Sequence, residues 1–344
     1  MRNSTITTHS RRLLISCAAL ASIGLAGLTQ ADTLEKIKDS SSVRIGYANE
    51  TPFAYTALDG SVTGESPEIV RKVFERMEID TIKPVLTEWG SLIPGLRAGR
   101  FDLIAAGMYI TPERCKQVLF TDPHYRLLDT LLVAEGNPKN LRSYEDIAGN
   151  PEVKIAIMSG TVNLGYARKA GIKDSQILQV PDTTSQLQAV RSGRADAAIG
   201  TQLTMRGLAQ KAGDDVEAID DFQDDPSRAG YGALAFRPQD EALRDAVNAE
   251  LKKWLGSDEH LETIEPFGFD RSNLTDKTAA ALREAQVRRV RVSYDDALFT
   301  GPAENPTWED DYLIDVVSPT SALWVDEGRT ITRFGRVADP SADA

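Results

Sequence analysis

The sequence predicts an α/β protein built from two related lobes. Apolar runs of strand length alternate with segments whose apolar residues recur at helical spacing. That order builds largely parallel sheets flanked by helices. A helix, a Gly-Arg-x-Asp turn and an apolar strand follow one another twice. They do so at Ala98-Gly99-Arg100-Phe101-Asp102-Leu103 and at Ser192-Gly193-Arg194-Ala195-Asp196-Ala197. This weak internal repeat, roughly ninety residues apart, speaks to duplicated architecture rather than to ligand contacts. The 344 residues supply enough chain for two sizeable cores.

Residues 34–39 are predicted to form a short helix and 43–47 the first strand. The strand runs into Ala48-Asn49-Glu50-Thr51-Pro52-Phe53-Ala54-Tyr55, a loop that pairs a carboxylate with two aromatics. Leu58-Asp59-Gly60 is a turn, Asp-Gly being a strong local turn signal. Gly64-Glu65-Ser66-Pro67-Glu68 opens a helix with Ile69, Val70, Val73, Phe74 and Met77 on one face. Residues 82–86 form the second strand. The rest of the chain is organised around 91–125. Leu92, Ile93, Leu96 and Arg97 lie at helical spacing, and Gly99 closes that helix. Residues 101–106 read as a buried strand that Gly107 breaks. Thr111 then caps a helix whose first position is Pro112.

Further strands are predicted at 131–134, 153–157, 176–180 and 230–236. Helices are predicted at 164–170, 185–191, 240–255 and 260–264, with a helical turn at 144–147. Helix 240–255 carries Leu243, Val247, Leu251 and Trp254 on one face. The lobes are expected to comprise 32–134 with 231–276, and 135–230. Two hinge crossings then join them, at about 134–138 and 227–231. Residues 277–344 do not continue the pattern. They are polar and unassigned, with apolar clusters at 313–317 and 323–325 that suit short strands.

Composition removes several function classes. Residues 1–31 read as a signal peptide, with Arg2, Arg11 and Arg12 ahead of an apolar run and a small-residue cleavage site near 29–31. Ser10-Arg11-Arg12-Leu13-Leu14 also fits a twin-arginine route. Its loss removes three positive charges and no negative ones, taking the net charge from −12 to −15. That argues against nucleic acid or an anionic membrane surface as partner. One cysteine, Cys115, then remains, so no intrachain disulfide forms despite export. With three histidines (His9, His124, His260), no CxxC and no HExxH, neither a transition-metal site nor a histidine-based triad is expected.

The loop between a strand's C-terminal end and a helix N-terminus is where open α/β sheets bind ligands. Arg114 sits in such a first helical turn, where the helix dipole disfavours a cation. That misfit suggests that Arg114 holds an anion, with Tyr109 as an aromatic wall beside it. Ser159-Gly160-Thr161-Val162-Asn163 is a second strand–loop–helix junction with backbone N–H groups to offer.

These motifs together resemble the periplasmic solute-binding proteins of the polar amino-acid ABC importer group, family 3, over roughly residues 33–275. The resemblance rests on Gly46-Tyr47, Gly64-Glu65-Ser66-Pro67-Glu68, Gly90-Ser91-Leu92-Ile93-Pro94-Gly95-Leu96, Gly99-Arg100-Phe101-Asp102, Thr111-Pro112-Glu113-Arg114 and Ser159-Gly160-Thr161. Gly107-Met108-Tyr109-Ile110-Thr111-Pro112-Glu113-Arg114-Cys115 and Ala48-Asn49-Glu50-Thr51-Pro52-Phe53 look closest to the ectoine/hydroxyectoine-binding branch. The resemblance implies a type II periplasmic-binding-protein fold whose two lobes close on a ligand by hinge bending. It implies a monomeric, periplasmic receptor that catalyses nothing, needs no cofactor and docks on membrane permease and ATPase subunits. Amino-acid receptors of the group usually place an aspartate where this chain has Thr201, to take the ligand's α-ammonium. Its absence favours ectoine or hydroxyectoine, whose cation is spread over an amidinium. On this reading Arg114 pairs with the ligand carboxylate, and Thr161 and Asn163 add hydrogen bonds. Glu50 accepts from the amidinium, and Phe53, Trp89 and Tyr109 form an aromatic cage. Family members often carry other aromatics at the Trp89 and Tyr109 positions. Plainer roles stay open: Phe53 and Trp89 as core residues, Glu50 as a turn cap, Arg114 on the surface. So do a polar amino-acid receptor and a cyclic-acid dehydratase on the same fold.

Overall fold

Helix α1 (Thr33–Ser40) starts where the Asp32 side chain accepts from Glu35 N, and it delivers the chain to strand β1 (Ser42–Tyr47). The computed structural model describes residues 32–223 and 225–285. The hairpin β2 (Tyr55–Thr56) and β3 (Val62–Thr63) closes around the Asp59-Gly60 turn. Helix α2 (Glu65–Arg76) buries Ile69, Val70, Val73 and Phe74. Then come β4 (Thr81–Leu86), a 3-10 turn over Trp89–Ser91, α3 (Leu92–Arg97), β5 (Leu103–Tyr109) and α4 (Pro112–Cys115). Two short strands, β6 (Leu119–Phe120) and β7 (Tyr125–Leu127), follow.

The second lobe runs through β8 (Asp129–Ala134), α5 (Tyr144–Gly149), β9 (Ile155–Met158), α6 (Asn163–Lys169) and β10 (Ile177–Val180). It ends with α7 (Thr183–Arg191), β11 (Ala197–Thr201), α8 (Gln202–Ala212) and β12 (Val216–Ala218). The chain then returns as β13 (Gly230–Phe236), α9 (Glu241–Trp254), α10 (Asp258–Ile264) and α11 (Ala279–Ala285).

The first sheet has the order β4-β1-β5-β13-β6, with β7 also on β13; the second has β10-β9-β11-β8-β12. In each, a parallel trio meets a strand that runs the other way: β13 against β5, and β8 against β11. Side chains alternate between the two faces of each sheet, the period-2 consequence of the pleat. In the second lobe Leu131, Val133, Ile155, Ile157, Ala197 and Ile199 pack under Tyr144 and Ile147. Leu132, Ala156 and Ala198 pack on the other side with Val190 and Met205.

The internal repeat has a physical basis. Asp102 Oδ2 accepts from Arg44 N at 3.0 Å, and Asp102 N donates to Arg44 O. Asp196 Oδ2 accepts from Lys154 N at 2.8 Å, and Asp196 N donates to Lys154 O. In both lobes the Gly-Arg-x-Asp aspartate therefore ties the helix-to-strand turn to the start of the neighbouring strand.

Three sequence expectations are corrected. Residues 131–134 belong to the second sheet, because β8 pairs with β11 and β12. The first crossing accordingly falls at Leu128, between β7 and β8, and not at 134–138. The signals at Gly136 and Asn137 are real, with φ of 75° and 43°, but they turn the chain within the second lobe. Leu128 lies in a run without Gly or Pro, so nothing in composition marks it. Second, Gly107 does not end the strand. It lies inside β5 with φ of 65°, and the register against β13 shifts between Ala233 and Ala235. Third, residues 279–285 of the unassigned tail form α11, whose Ala279 and Leu282 pack, as does Cys115 of α4, against a core cluster of the first lobe. Nothing is predicted from sequence for 202–212, where α8 stands; with only Thr204 and Met205 buried, its apolar stripe is too thin to read. The predicted signal peptide and the clusters at 313–317 and 323–325 lie outside the described residues. Among the described residues no helix is long and apolar enough to cross a membrane.

Candidate functional site

The C-terminal ends of β1, β5, β9 and β11 converge on one cavity between the lobes, where open α/β sheets place their ligands. Glu50, Phe53, Trp89, Tyr109, Arg114, Thr161, Asn163 and Thr201, all eight sequence candidates, line it. The first lobe supplies the loop after β1 with Glu50 and Phe53, the turn with Trp89, β5 with Tyr109, and α4 with Arg114. The second lobe supplies the loop after β9 with Thr161, α6 with Asn163, and the end of β11 with Thr201.

Thr111 caps α4, its hydroxyl accepting from Arg114 N at 3.2 Å, with Pro112 at the first position. This fixes the helical turn and aims Arg114 at the cavity. The guanidinium is buried, 8% exposed. Nη1 donates to Tyr109 O at 2.9 Å and Nη2 to Gly160 O, in the opposite lobe, at 3.1 Å. Its carbon lies 5.8 Å from the centre of the Trp89 ring, and the indole Nε1 donates to the same Gly160 O at 3.3 Å. Among the described residues no carboxylate stands within ion-pair distance of Arg114. Burial without a counter-ion lowers its pKa from 12.5 to about 10.

Glu50 mirrors this on the anionic side. It is buried, 8% exposed, and its backbone bridges to Ala54 in the loop after β1. Thr204 Oγ1, from α8 of the second lobe, donates to Glu50 Oε1 at 3.0 Å. Among the described residues no cation pairs with it. Burial raises its pKa from 4.5 to about 7, against the opposing pull of the Thr204 hydrogen bond. One buried cation and one buried anion therefore face the same cavity without being each other's partner. Such charges are costly unless a ligand supplies the missing partners.

The walls are aromatic. Phe53 packs against Tyr125 and Phe269 at 5.4 and 5.7 Å between ring centres, and Tyr109 packs on Tyr125 at 6.2 Å. Phe53 is both core residue and cavity wall, so its two sequence readings coexist. Thr161 and Asn163 line the cavity, but their donors are spent within the second lobe. Thr161 Oγ1 donates to Met158 O at 2.8 Å. Asn163 Nδ2 donates to Asp129 Oδ2 at 2.6 Å and to Tyr144 Oη at 3.2 Å. Thr201 caps α8, accepting from Thr204 N. Asp129 is its register partner on β8, a buried carboxylate held by Asn163 that does not itself line the cavity.

Met158, Gln186, Ile199 and Met205 also belong to the lining. Gln186 is recognisable only in three dimensions, its Nε2 donating to Ala156 O and Ile199 O across two strands. Gly107 is required by geometry. At φ of 65° a Cβ there meets Phe53 Cδ1 at 2.5 Å and Tyr125 Oη at 2.6 Å. Gly107→Ala is expected to lower stability by about 2 kcal/mol through strain and overpacking and to push Phe53 into the cavity. Thermal unfolding with and without ligand reads both effects.

Two α/β lobes, joined by two crossings and facing each other across a cavity at their strand ends, make the two-lobed periplasmic-binding-protein fold of type II. The chain belongs to the bacterial extracellular solute-binding proteins, family 3, whose model matches residues 43–267. A probable amino-acid ABC transporter periplasmic-binding protein of Sinorhizobium fredii is 37% identical over 264 residues, 75% of this chain and 87% of that protein. The solved structure of EhuB in complex with hydroxyectoine superposes with a TM-score of 0.69 at 36% identity, covering 73% of this chain and 97% of that one. The cyclohexadienyl dehydratase of Pseudomonas aeruginosa is 28% identical over 188 residues, 54% of this chain and 69% of that enzyme.

Proposed function

We propose that the protein is the periplasmic substrate-binding component of an ABC importer for ectoine or hydroxyectoine, and that it closes its two lobes around the solute. The carrying observation is that a buried cation and a buried anion line one aromatic-walled cavity, neither with an opposite charge beside it among the described residues, with a threonine rather than a carboxylate at 201. Arg114 takes the ligand carboxylate. Each Nη already donates once, and each keeps a second N–H for a bidentate pair. Glu50 offers its remaining carboxylate oxygen to the delocalised cation, and Phe53, Trp89 and Tyr109 cover the ring. Likeness to EhuB, crystallised with hydroxyectoine, supports this choice. Delivery is to permease and ATPase subunits, which makes the protein a transport receptor, monomeric and needing no cofactor.

A polar amino acid is the second reading, favoured by the buried Asp129 opposite Thr201 and by the amino-acid-binding relatives. A dehydratase would need an acid and a base, and among the described residues the lining beside Glu50 offers no histidine or lysine. Titration calorimetry with ectoine, hydroxyectoine, proline, glutamine and arginine separates these readings. Heat from the first two alone is the expected result. Heat from glutamine or arginine with none from ectoine rejects the compatible-solute assignment.

A further inference from the structure

We propose that Thr204 is a positioning residue that couples recognition of the ligand's cation to closure of the lobes. The inference rests on the reading above that Glu50 receives that cation. Thr204 is not among the residues that line the cavity, and its link to the site runs through Glu50. It stands in the first turn of α8 and is 2% exposed. Its bond to Glu50 Oε1 joins groups 154 positions apart in the chain, on opposite lobes, and both are buried.

The direction of that bond is fixed by its neighbour. Thr201 Oγ1 donates to Thr204 Oγ1 at 2.9 Å and accepts from Thr204 N at 3.2 Å. With an incoming proton from Thr201, the one hydroxyl proton of Thr204 goes to Glu50. The chain Thr201 to Thr204 to Glu50 thus runs from the end of β11 into the first lobe, and it requires the lobes to be together. It also occupies one of the two carboxylate oxygens. The other is left for the ligand, and the Thr204 hydrogen bond favours the ionised carboxylate that a cation needs. Cation and closure stabilise the same state of Glu50, so each strengthens the other. A second link across the cleft exists where Arg114 and Trp89 both donate to Gly160 O.

Thr204→Val keeps shape and β-branching and leaves the backbone cap by Thr201 in place. It removes the proton given to Glu50 and the oxygen that accepts from the Thr201 hydroxyl. Ectoine affinity is expected to fall roughly 10–100-fold, mostly through faster dissociation, and Thr204→Ser is expected to restore it. Small-angle scattering of the ligand-free protein is expected to show a larger radius of gyration for Thr204→Val than for wild type or Thr204→Ser. That second measurement needs no ligand. If wild type gives no heat with ectoine, the ligand reading fails while scattering still decides the latch. Wild-type scattering and wild-type dissociation in Thr204→Val overturn the proposal. So does an equal loss in Thr204→Ser, which would mark a packing role alone.

Discussion

Arg114→Met is expected to abolish detectable ectoine binding while leaving the ligand-free protein about as stable as wild type. The two halves of this expectation have opposite origins. Removing one partner of a buried, hydrogen-bonded charge pair costs about 2–5 kcal/mol, a loss of roughly 30-fold to several thousand-fold in affinity. The ligand carboxylate would be left desolvated against a thioether. In the free protein, however, the guanidinium is itself the liability. It is buried with no carboxylate beside it among the described residues, and burial lowers its pKa to about 10. That depression corresponds to about 3 kcal/mol against the charged form, present throughout the neutral range because the folded pKa still lies above it. Replacing a buried charge by an apolar side chain of similar volume is often neutral or stabilising. The opposing terms are the hydrogen bonds to Tyr109 O and Gly160 O, each about 1.5 kcal/mol or somewhat more because the donor is charged. The two sides nearly cancel. Calorimetric unfolding with and without ectoine tests this: the ligand-induced rise in Tm should vanish and the ligand-free Tm should hardly move. Arg114→Lys should restore little, because a point charge cannot reproduce the planar fork. A variant that binds ectoine within tenfold of wild type would remove Arg114 from its assigned role.

Arg114 was also the residue that sequence made most legible, through chemistry rather than pattern. A cation in the first turn of a helix opposes the dipole, and Thr111 and Pro112 fix where that turn begins. Strand β13 was equally plain, since Gly230 to Phe236 is an apolar run between breakers. What escaped did so for physical reasons. The crossing at Leu128 is extended chain leading from one strand into another, with no Gly or Pro to mark it. Gly107 reads as a strand breaker by composition, yet its backbone groups are satisfied from outside the ladder: N–H by Ser66 Oγ at 2.9 Å and C=O by Tyr125 Oη at 2.7 Å. Thr204 is one polar residue in a weakly amphipathic helix, and its importance comes from a partner 154 positions away. Pairings across a cleft follow from how two lobes meet, and local spacing holds no record of that. The charges were visible in the sequence, whereas the lack of an opposite charge beside each, among the described residues, was visible only in the structure.

Burial without a counter-charge among the described residues makes Glu50 a pH-dependent site. Its pKa is raised from 4.5 to about 7, chiefly by burial. Below pH 4.5 the carboxyl is protonated in folded and unfolded chains alike and costs nothing. Between 4.5 and 7 the unfolded chain ionises first, so folded stability falls by up to about 1.4 kcal/mol per pH unit. Above 7 the full cost, about 3 kcal/mol, is present. Glu50→Gln keeps an oxygen for Thr204 and carries no charge. Its ligand-free Tm should match wild type at pH 5 and exceed it at pH 8. Binding should respond in the opposite sense. A cationic group on the ligand needs the ionised carboxylate, so wild-type affinity for ectoine should be flat above pH 7. Below 7 it should fall by up to tenfold per unit, with proton release on binding at pH 6 that calorimetry in buffers of different ionisation enthalpy can count. Glu50→Gln should bind weakly and without this dependence. The same substitution should therefore stabilise the empty receptor and disable the loaded one. Wild-type affinity that stays constant from pH 5.5 to 8 would mean that Glu50 does not meet the ligand's charge, and the cation would have to be held by the aromatic walls alone.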